Sequence, residues 1–441
     1  GGGAALTGAL LAMGLLSWEH GRVPESLSLV RAAVGRASRS LYGGELPDPR
    51  VDLADILISL DEFEEVESLL ESLESLHGDA GAAWVPALAA LRCRFLMAAG
   101  QAEAAVAVAS AAADLAESLG ISACVASLWA TLALAALRRG DLNEAAHLVS
   151  RCRAEASLGG SSRSVSEIVW VETGLVEAQQ GGGRALDALR ADRRPDTFQL
   201  LLENPLAGPW WVRTALNAGE RWQATTVAMT LQDLAFQNPG VPALAGASRH
   251  ADGLMQDDPD LLLDVATQHR RPWLAASAAE DAALALSSQG RAVHLVHSAL
   301  ERALNGYTRT AASSDSARIR RRLRALNRRE RSGRARMRPV SGWASLTEAE
   351  RRVALAVAEG LTNAQAADRL CLSRHTVDFH LRQTFRKLDI RSRVELARLS
   401  ALETATVPLQ SFGAMPQALE TCTSPRRVGA EKQGRRSATH L

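Results

Sequence analysis

The sequence predicts an all-α protein, a stack of helical hairpins followed by a small four-helix unit. Three observations carry that expectation. Hydrophobic residues make up 47% of the chain and aromatics only 4%, with alanine and leucine dominant. Such a mixture favours helix and argues against a β-sandwich. A short turn recurs about every 40 residues through the first 300. Near the C-terminus, three Ser/Thr-x-x-Glu/Gln signatures fall between Thr347 and Glu395, and each marks a helix start. At 441 residues the chain is also too long for one ordinary domain.

The first element is the apolar stretch from Ala4 to Trp18. It is interrupted by Gly8 and Gly14 and has no basic residue ahead of it. It therefore reads as a first core helix, not as a signal peptide or membrane span. The chain opens on three glycines without methionine, which fits a longer protein with a further domain upstream. The recurring turn then falls at Gly21, Asp61, Gly100, Gly140, Gly181 and Gly219, spaced by 40, 39, 40, 41 and 38 residues. A seventh instance, Gly290, comes 71 residues later, with Asp257-Asp258-Pro259-Asp260 as a weaker turn between. Glycine suits the left-handed residue that ends the first helix of a pair. One hairpin cannot bury its apolar face, but a stack can. The period resembles the tetratricopeptide class, somewhat lengthened, and implies a tetratricopeptide-like α-solenoid over residues 1–326.

Charge is distributed unevenly. The whole chain is +1, but residues 318–338 carry +10 (eleven arginines against Glu330), residues 346–399 +3 and residues 400–441 +2, leaving −14 for residues 1–317. A basic C-terminal third on an acidic body suggests a polyanionic partner for the C-terminus alone. Ile319, Leu323 and Leu326 keep helical spacing, so the arginine run begins as an extension of the last repeat helix. Gly333 and Pro339 are expected to break it, making 327–343 a basic linker. After Leu402 the chain turns to Thr, Pro, Ser, Gln and Gly without period, the pattern of a disordered tail over 403–441.

Between linker and tail lies a domain expected over 344–402. Thr347-x-x-Glu350 opens a first helix that Gly360 closes, and Thr362-x-x-Gln365 opens a second that runs to about Leu370. Ser373 caps a third helix, about Arg374 to Leu388, and Ser392-x-x-Glu395 opens a fourth. A short turn at Cys371-Leu372 joins the second and third into a helix-turn-helix, whose second member is the groove-reading helix. Val377, Leu381, Phe385 and Leu388 form its buried face. Arg374, Asp378, Arg382 and Arg386, four residues apart, form an outward row able to follow a major groove. Arg382 suits guanine, Asp378 the amino group of cytosine and Phe379 a thymine methyl, so these three are the expected base readers. Arg374, Thr376, Arg386, Lys387, Arg391 and Arg393 are placed for phosphate, which anchors without reading sequence.

These residues resemble the LuxR-type helix-turn-helix domain shared with NarL-type response regulators. Leu346-Thr347, Glu359–Asn363, Ser373–His380 and Lys387–Arg393 carry the family's motifs. Departures are Ala366, where isoleucine is usual and a slightly looser second helix follows, Gln365 for glutamate, and Asp378 for the lysine of some members. The last substitution makes a borrowed operator sequence unsafe. Helical repeats, an arginine-rich helix and this terminal domain together resemble the large ATP-binding LuxR regulators, the MalT-like group. Those carry a nucleotide-binding module ahead of the repeats. No Gly-x-x-x-x-Gly-Lys-Ser/Thr occurs here, so no cofactor is expected within this chain and such a module would lie upstream of residue 1. The resemblance implies a cytoplasmic transcription regulator, no enzyme, binding double-stranded DNA as a homodimer. It also implies dimer contact through the fourth helix, RNA polymerase as a further partner, and activation of a biosynthetic gene cluster. The rival expectation is a helical-repeat scaffold whose small domain binds no DNA.

Other features carry blander expectations. Cys93, Cys124, Cys152, Cys371 and Cys422 are scattered and read as reduced structural cysteines. Trp210-Trp211 reads as repeat packing, and Gly181–Gly183 as a loose inter-helix loop. The acidic run Asp61-Glu62-Phe63-Glu64-Glu65, with Glu67 and Glu71, reads as a solvated face and not a metal site. His380 reads as structural or phosphate-facing.

Overall fold

The computed structural model describes residues 2–37, 48–77, 84–121, 124–156, 162–190, 196–336 and 342–406. Among them the regular structure is 22 α-helices and one 3-10 turn, with no strand. They fall into two compact units, 1–330 and 331–441. No described helix is long and apolar enough to cross a membrane.

The first unit is a succession of helix pairs, the two helices of each pair packed on one another. The pairs are α1 (Gly2–Glu19) with α2 (Val23–Arg36), α3 (Pro49–Ser59) with α4 (Phe63–His77), α5 (Trp84–Ala98) with α6 (Ala102–Leu119), α7 (Val125–Arg139) with α8 (Leu142–Ala156), and α9 (Ser162–Gln180) with α10 (Gly182–Arg190). A short α11 (Thr197–Glu203) precedes α12 (Ala207–Asn217) with α13 (Arg221–Gln237), α14 (Pro242–Gln256) with α15 (Pro259–Gln268), and α16 (Pro272–Ser288) with α17 (Val293–Arg309). The last helix, α18, spans Ser313–Arg336. All seven expected turn residues lie at positive φ, between 64° and 89°, and Asp257 joins them at 51°. The repeat is thus a real hairpin period, set where the chain must turn left-handed.

Where the first turns point is not periodic. A Cβ on Gly21 would come 2.6 Å from the Phe198 ring, and the Val23 N–H donates to Asn238 Oδ1 at 2.8 Å. Gly100 packs against Pro272 and Thr310, and Gly140 against Ser314. Asp61 is buried and paired with Arg271, whose Nη2 also donates to the Ile58 carbonyl at 2.8 Å. Burial pushes the Asp61 carboxyl above its usual range even with the Arg271 guanidinium beside it. Arg270 donates to the Asp61 carbonyl at 2.9 Å and pairs with Glu62 and Glu64. The turns of the first four hairpins are therefore seated on residues of the second half of the unit. The acidic run is correspondingly only half a solvated face. Glu67 and Glu71 are exposed, but Asp61, Glu62 and Glu64 meet arginines, and Glu65 pairs with Arg31.

Several local expectations change. The helix of the apolar N-terminal stretch buries Leu11 and Trp18 but leaves Leu6, Met13 and Leu16 about half exposed, so it is core on one stripe only. Gly181 alone makes the turn, while Gly182 and Gly183 already belong to α10. Trp210 and Trp211 are buried as expected, Trp210 edge-on to Trp170 at 5.4 Å and donating to Glu177 at 2.6 Å. Gly333 does not end α18, which continues to Arg336. One interior glycine costs a helix about 1 kcal/mol, and the flanking arginines are good helix formers. The arginine run also divides: Arg318 and Arg322 turn inward to Glu280, while Arg320, Arg321, Arg324 and Arg328 are exposed. Residues 337–341 of the expected linker, and the expected tail from 407 onward with Cys422, lie outside the described residues.

Candidate nucleic-acid interface

The second unit opens with a 3-10 turn, Trp343–Ser345, followed by α19 (Glu348–Ala358), α20 (Asn363–Leu370), α21 (Arg374–Leu388) and α22 (Arg393–Thr406). Each start is written in the side chains. Thr347 Oγ1 accepts from the Glu350 N–H at 3.2 Å while Glu350 Oε2 accepts from the Thr347 N–H at 2.7 Å. Thr362 and Gln365 repeat the exchange at 3.3 and 2.9 Å. Ser373 Oγ accepts from the Thr376 N–H at 3.1 Å. At α22 the exchange is shifted by one residue: Ser392 Oγ accepts from the Glu395 N–H, but Glu395 reaches back to the Arg391 N–H at 3.1 Å. Two backbone donors are satisfied in this way at the starts of α19, α20 and α22, and one at that of α21.

Cys371 ends α20 in the left-handed region (φ 54°), and Ser373 caps the next helix. The short turn between α20 and α21 makes the helix-turn-helix. Its core is Val353, Ala354, Val357, Ala366, Ala367, Val377, Leu381, Leu388, Ile390 and Leu396, with Phe385 partly buried against it. Ala366 is fully buried. Thr384, on the same inward side, is also fully buried, and its hydroxyl has no hydrogen-bond partner.

The opposite side of α21 presents the expected row. Arg374, Phe379, Arg382 and Arg386 are exposed and Asp378 is half-buried. Arg382 is paired with Asp378 in the free domain. The Arg382 hydrogen bond holds the Asp378 carboxyl below its ordinary range. Arg386 donates to Gln383, and Thr376 shares a 2.8 Å hydroxyl contact with Ser373. The Phe379 ring stands edge-on to His380 at 5.8 Å, leaving Phe379 54% exposed.

Two expected phosphate contacts have other employment. Lys387 Nζ donates to Glu350 Oε2 at 2.6 Å and is only a quarter exposed. Burial raises the Glu350 carboxyl, but the Lys387 and Thr347 hydrogen bonds outweigh it and leave the group below its usual range. Arg393 donates to the Leu361 carbonyl at 3.3 Å and to Asn363 Oδ1. Asn363 in turn donates to Asp378 at 3.4 Å. It is therefore a relay from α22 through α20 to the outward row, and nothing in its position as the first residue of α20 announces that role. Arg374 and Arg391 are exposed.

The outward side of α21 thus carries three exposed arginines and an exposed aromatic ring over a buried apolar face. Residues 344–400 match the luxR family of bacterial regulatory proteins. Over 61 residues the chain is 49% identical to a protein of Mycobacterium bovis and to two of Mycobacterium tuberculosis, each provisionally named an HTH-type transcriptional regulator. Those matches cover 14% of this chain and 7% of each relative. Residues 344–400 are thus a helix-turn-helix domain of the luxR family.

Proposed function

We propose that the protein is a cytoplasmic transcription regulator, not an enzyme, that binds duplex DNA as a homodimer. The carrying observation is α21: its inward face is committed to the core while Arg374, Phe379, Arg382 and Arg386 face outward. In this reading Asp378, Phe379 and Arg382 read bases, and Arg374, Thr376, Arg386 and Arg391 anchor phosphates. Lys387 and Arg393 serve first to brace the domain. The dimer forms through α22, where Val394 is 72% exposed, and paired half-sites add their binding energies. The repeats up to residue 326 sense a signal or assemble with a partner. The arginine-rich segment 327–343 adds non-specific affinity, and domain 344–402 attaches to DNA. The regulator activates a biosynthetic gene cluster through contact with RNA polymerase.

The test is fluorescence anisotropy of labelled duplexes with the full chain over a range of salt. Affinity should fall steeply with salt. Arg382→Ala should lose sequence preference by about 1–3 kcal/mol, and Arg386→Ala should weaken all duplexes alike and flatten the salt slope by about one. Absence of salt-dependent duplex binding would leave a scaffold and sink this reading.

A further inference from the structure

Inside the repeat unit lie two adjoining cavities, of about 110 and 550 Å³. They share Leu134, Arg138, Trp170, Leu206 and Trp273 as a common wall. Together they reach the size range of small-molecule sites, roughly 300–1,000 Å³.

Arg138 is the unusual member of that wall. Its Nε and Nη1 are buried and have no hydrogen-bond partner. Its guanidinium lies over the Trp273 ring at 5.0 Å. Burial pushes its pKa down to about 10, which still leaves it charged at neutral pH. The other cations of the smaller cavity are taken: Arg94 by Asp55 and Glu167, Arg271 by Asp61. The nearby acid, Asp315, is bonded to Trp273 Nε1 at 3.1 Å and to Arg318 at 2.6 Å.

Two more orphans line the smaller cavity. Ser166 (2% exposed) has no partner for its hydroxyl. Glu203 (7% exposed) uses one oxygen to accept from Gln199 at 2.6 Å and has no partner for the other. Each unpaired buried group destabilises the fold, and more so when charged. Unpaired polar atoms of three residues around one apolar chamber amount to a set of open valences: a cation's donors, a hydroxyl and a carboxylate oxygen. The rings of Trp170 and Trp273 and the side chains of Met97, Leu134, Leu206 and Leu274 supply the apolar remainder.

We propose that this chamber binds a small organic anion with an apolar or aromatic body. Its carboxylate, sulfonate or phosphate accepts from Arg138. A hydroxyl or amine on it donates to Glu203. The body lies against Trp170 and Trp273. This rests on the repeats being the sensing part of the regulator, and it assigns the class of signal.

The test uses the full chain with two fluorescent probes. One is 8-anilinonaphthalene-1-sulfonate, an aromatic anion with one N–H; the other is N-phenyl-1-naphthylamine, which lacks the sulfonate. The anion should bind saturably, one per chain, at least tenfold tighter than the neutral probe. Arg138→Met should weaken the anion at least tenfold and leave the neutral probe unchanged. It should also raise the melting temperature of the ligand-free protein, because an uncompensated buried charge is gone. Equal anion affinity in Arg138→Met, or binding without saturation, would overturn the proposal. Should Arg138→Met not fold, Glu203→Gln takes its place. Removing that negative charge should tighten the anion at least threefold, and an unchanged affinity would overturn the proposal as well. Duplex binding is read separately. Probe binding without duplex binding leaves the chamber standing and defeats the regulator reading; the converse defeats the chamber alone.

Discussion

Lys387 donates to Glu350 across 2.6 Å, tying the last turn of α21 to the first turn of α19. Glu350 already closes the cap of α19 through the Thr347 N–H, so one carboxylate holds two helices in register. Lys387→Ala should therefore act mainly on stability, lowering that of the domain by about 1–3 kcal/mol. The slope of duplex affinity against salt should stay near that of the parent. Hydrogen exchange across 346–399 reads the first effect and anisotropy titrations the second. A slope flatter by about one, the signature of a lost phosphate contact, would return Lys387 to the DNA.

Asp378 holds Arg382 in the unbound domain. Asp378→Asn frees the guanidinium and removes a negative charge from the groove-facing side. Binding to random duplexes should become tighter by about three- to tenfold, and preference among sequences should narrow. Competition titrations with specific and random duplexes measure both. Weaker binding to every duplex would show that Asp378 positions Arg382 productively.

Buried Asp61 pairs with Arg271, which is 15% exposed and 210 residues away in sequence. Asp61→Ala leaves the guanidinium without its carboxylate and should cost about 3 kcal/mol. The double replacement Asp61→Leu with Arg271→Met should cost clearly less, since no charge is left stranded. Urea unfolding of the two variants decides between them. Equal losses would mean that the shape of the turn matters and the charge pair does not.

His269 Nε2 lies 3.3 Å from His250 Nδ1, and His250 Nε2 lies 2.9 Å from Asp281. Burial, then the neighbouring His250 and Arg271, hold the His269 pKa well below its ordinary 6.5. Below that value the unfolded chain takes up a proton that the folded chain refuses. Stability should fall with falling pH, by about 1.4 kcal/mol per unit for this group. Melting temperatures between pH 7 and 5 should show a slope that His269→Gln flattens. An unchanged slope in that variant would place the acid sensitivity elsewhere.

Thr384 carries a buried hydroxyl without a partner. Thr384→Val keeps the shape and removes the orphan, so the second unit should gain about 1 kcal/mol. Hydrogen exchange over α21 is the measurement, and a loss of protection would reveal a hydroxyl contact formed in solution.

The parts of the fold that depend on local chemistry are legible in the sequence. Gly21, Gly100 and Asp61 announce left-handed turns because few residues tolerate that backbone. Thr347 with Glu350 announces a helix start because the two bonds are made within four residues. Contacts that depend on how the chain closes are not. Nothing local ties Asp61 to Arg271, or turns Arg318 toward Glu280 while Arg320 faces out. Lys387 looked like a phosphate anchor because charge and helix position are all that a sequence displays. Only the fold brings Glu350 within reach. The chamber at Arg138 is invisible in the sequence for the same reason, since its walls come from α3, α5, α7, α9, α11 and α16 and the turns beside them.

Seating the first hairpin turns on the later helices has a kinetic meaning. A strictly linear stack can form or fray at either end, one repeat at a time. Here Val23 cannot complete its bond until Asn238 is in place, nor Asp61 its pair until Arg271 arrives. Closure over more than two hundred residues slows folding, because a long loop must be brought together before any contact rewards it. The same closure should make the unit melt in one transition, so that a lesion in the second hairpin is felt in the eighth.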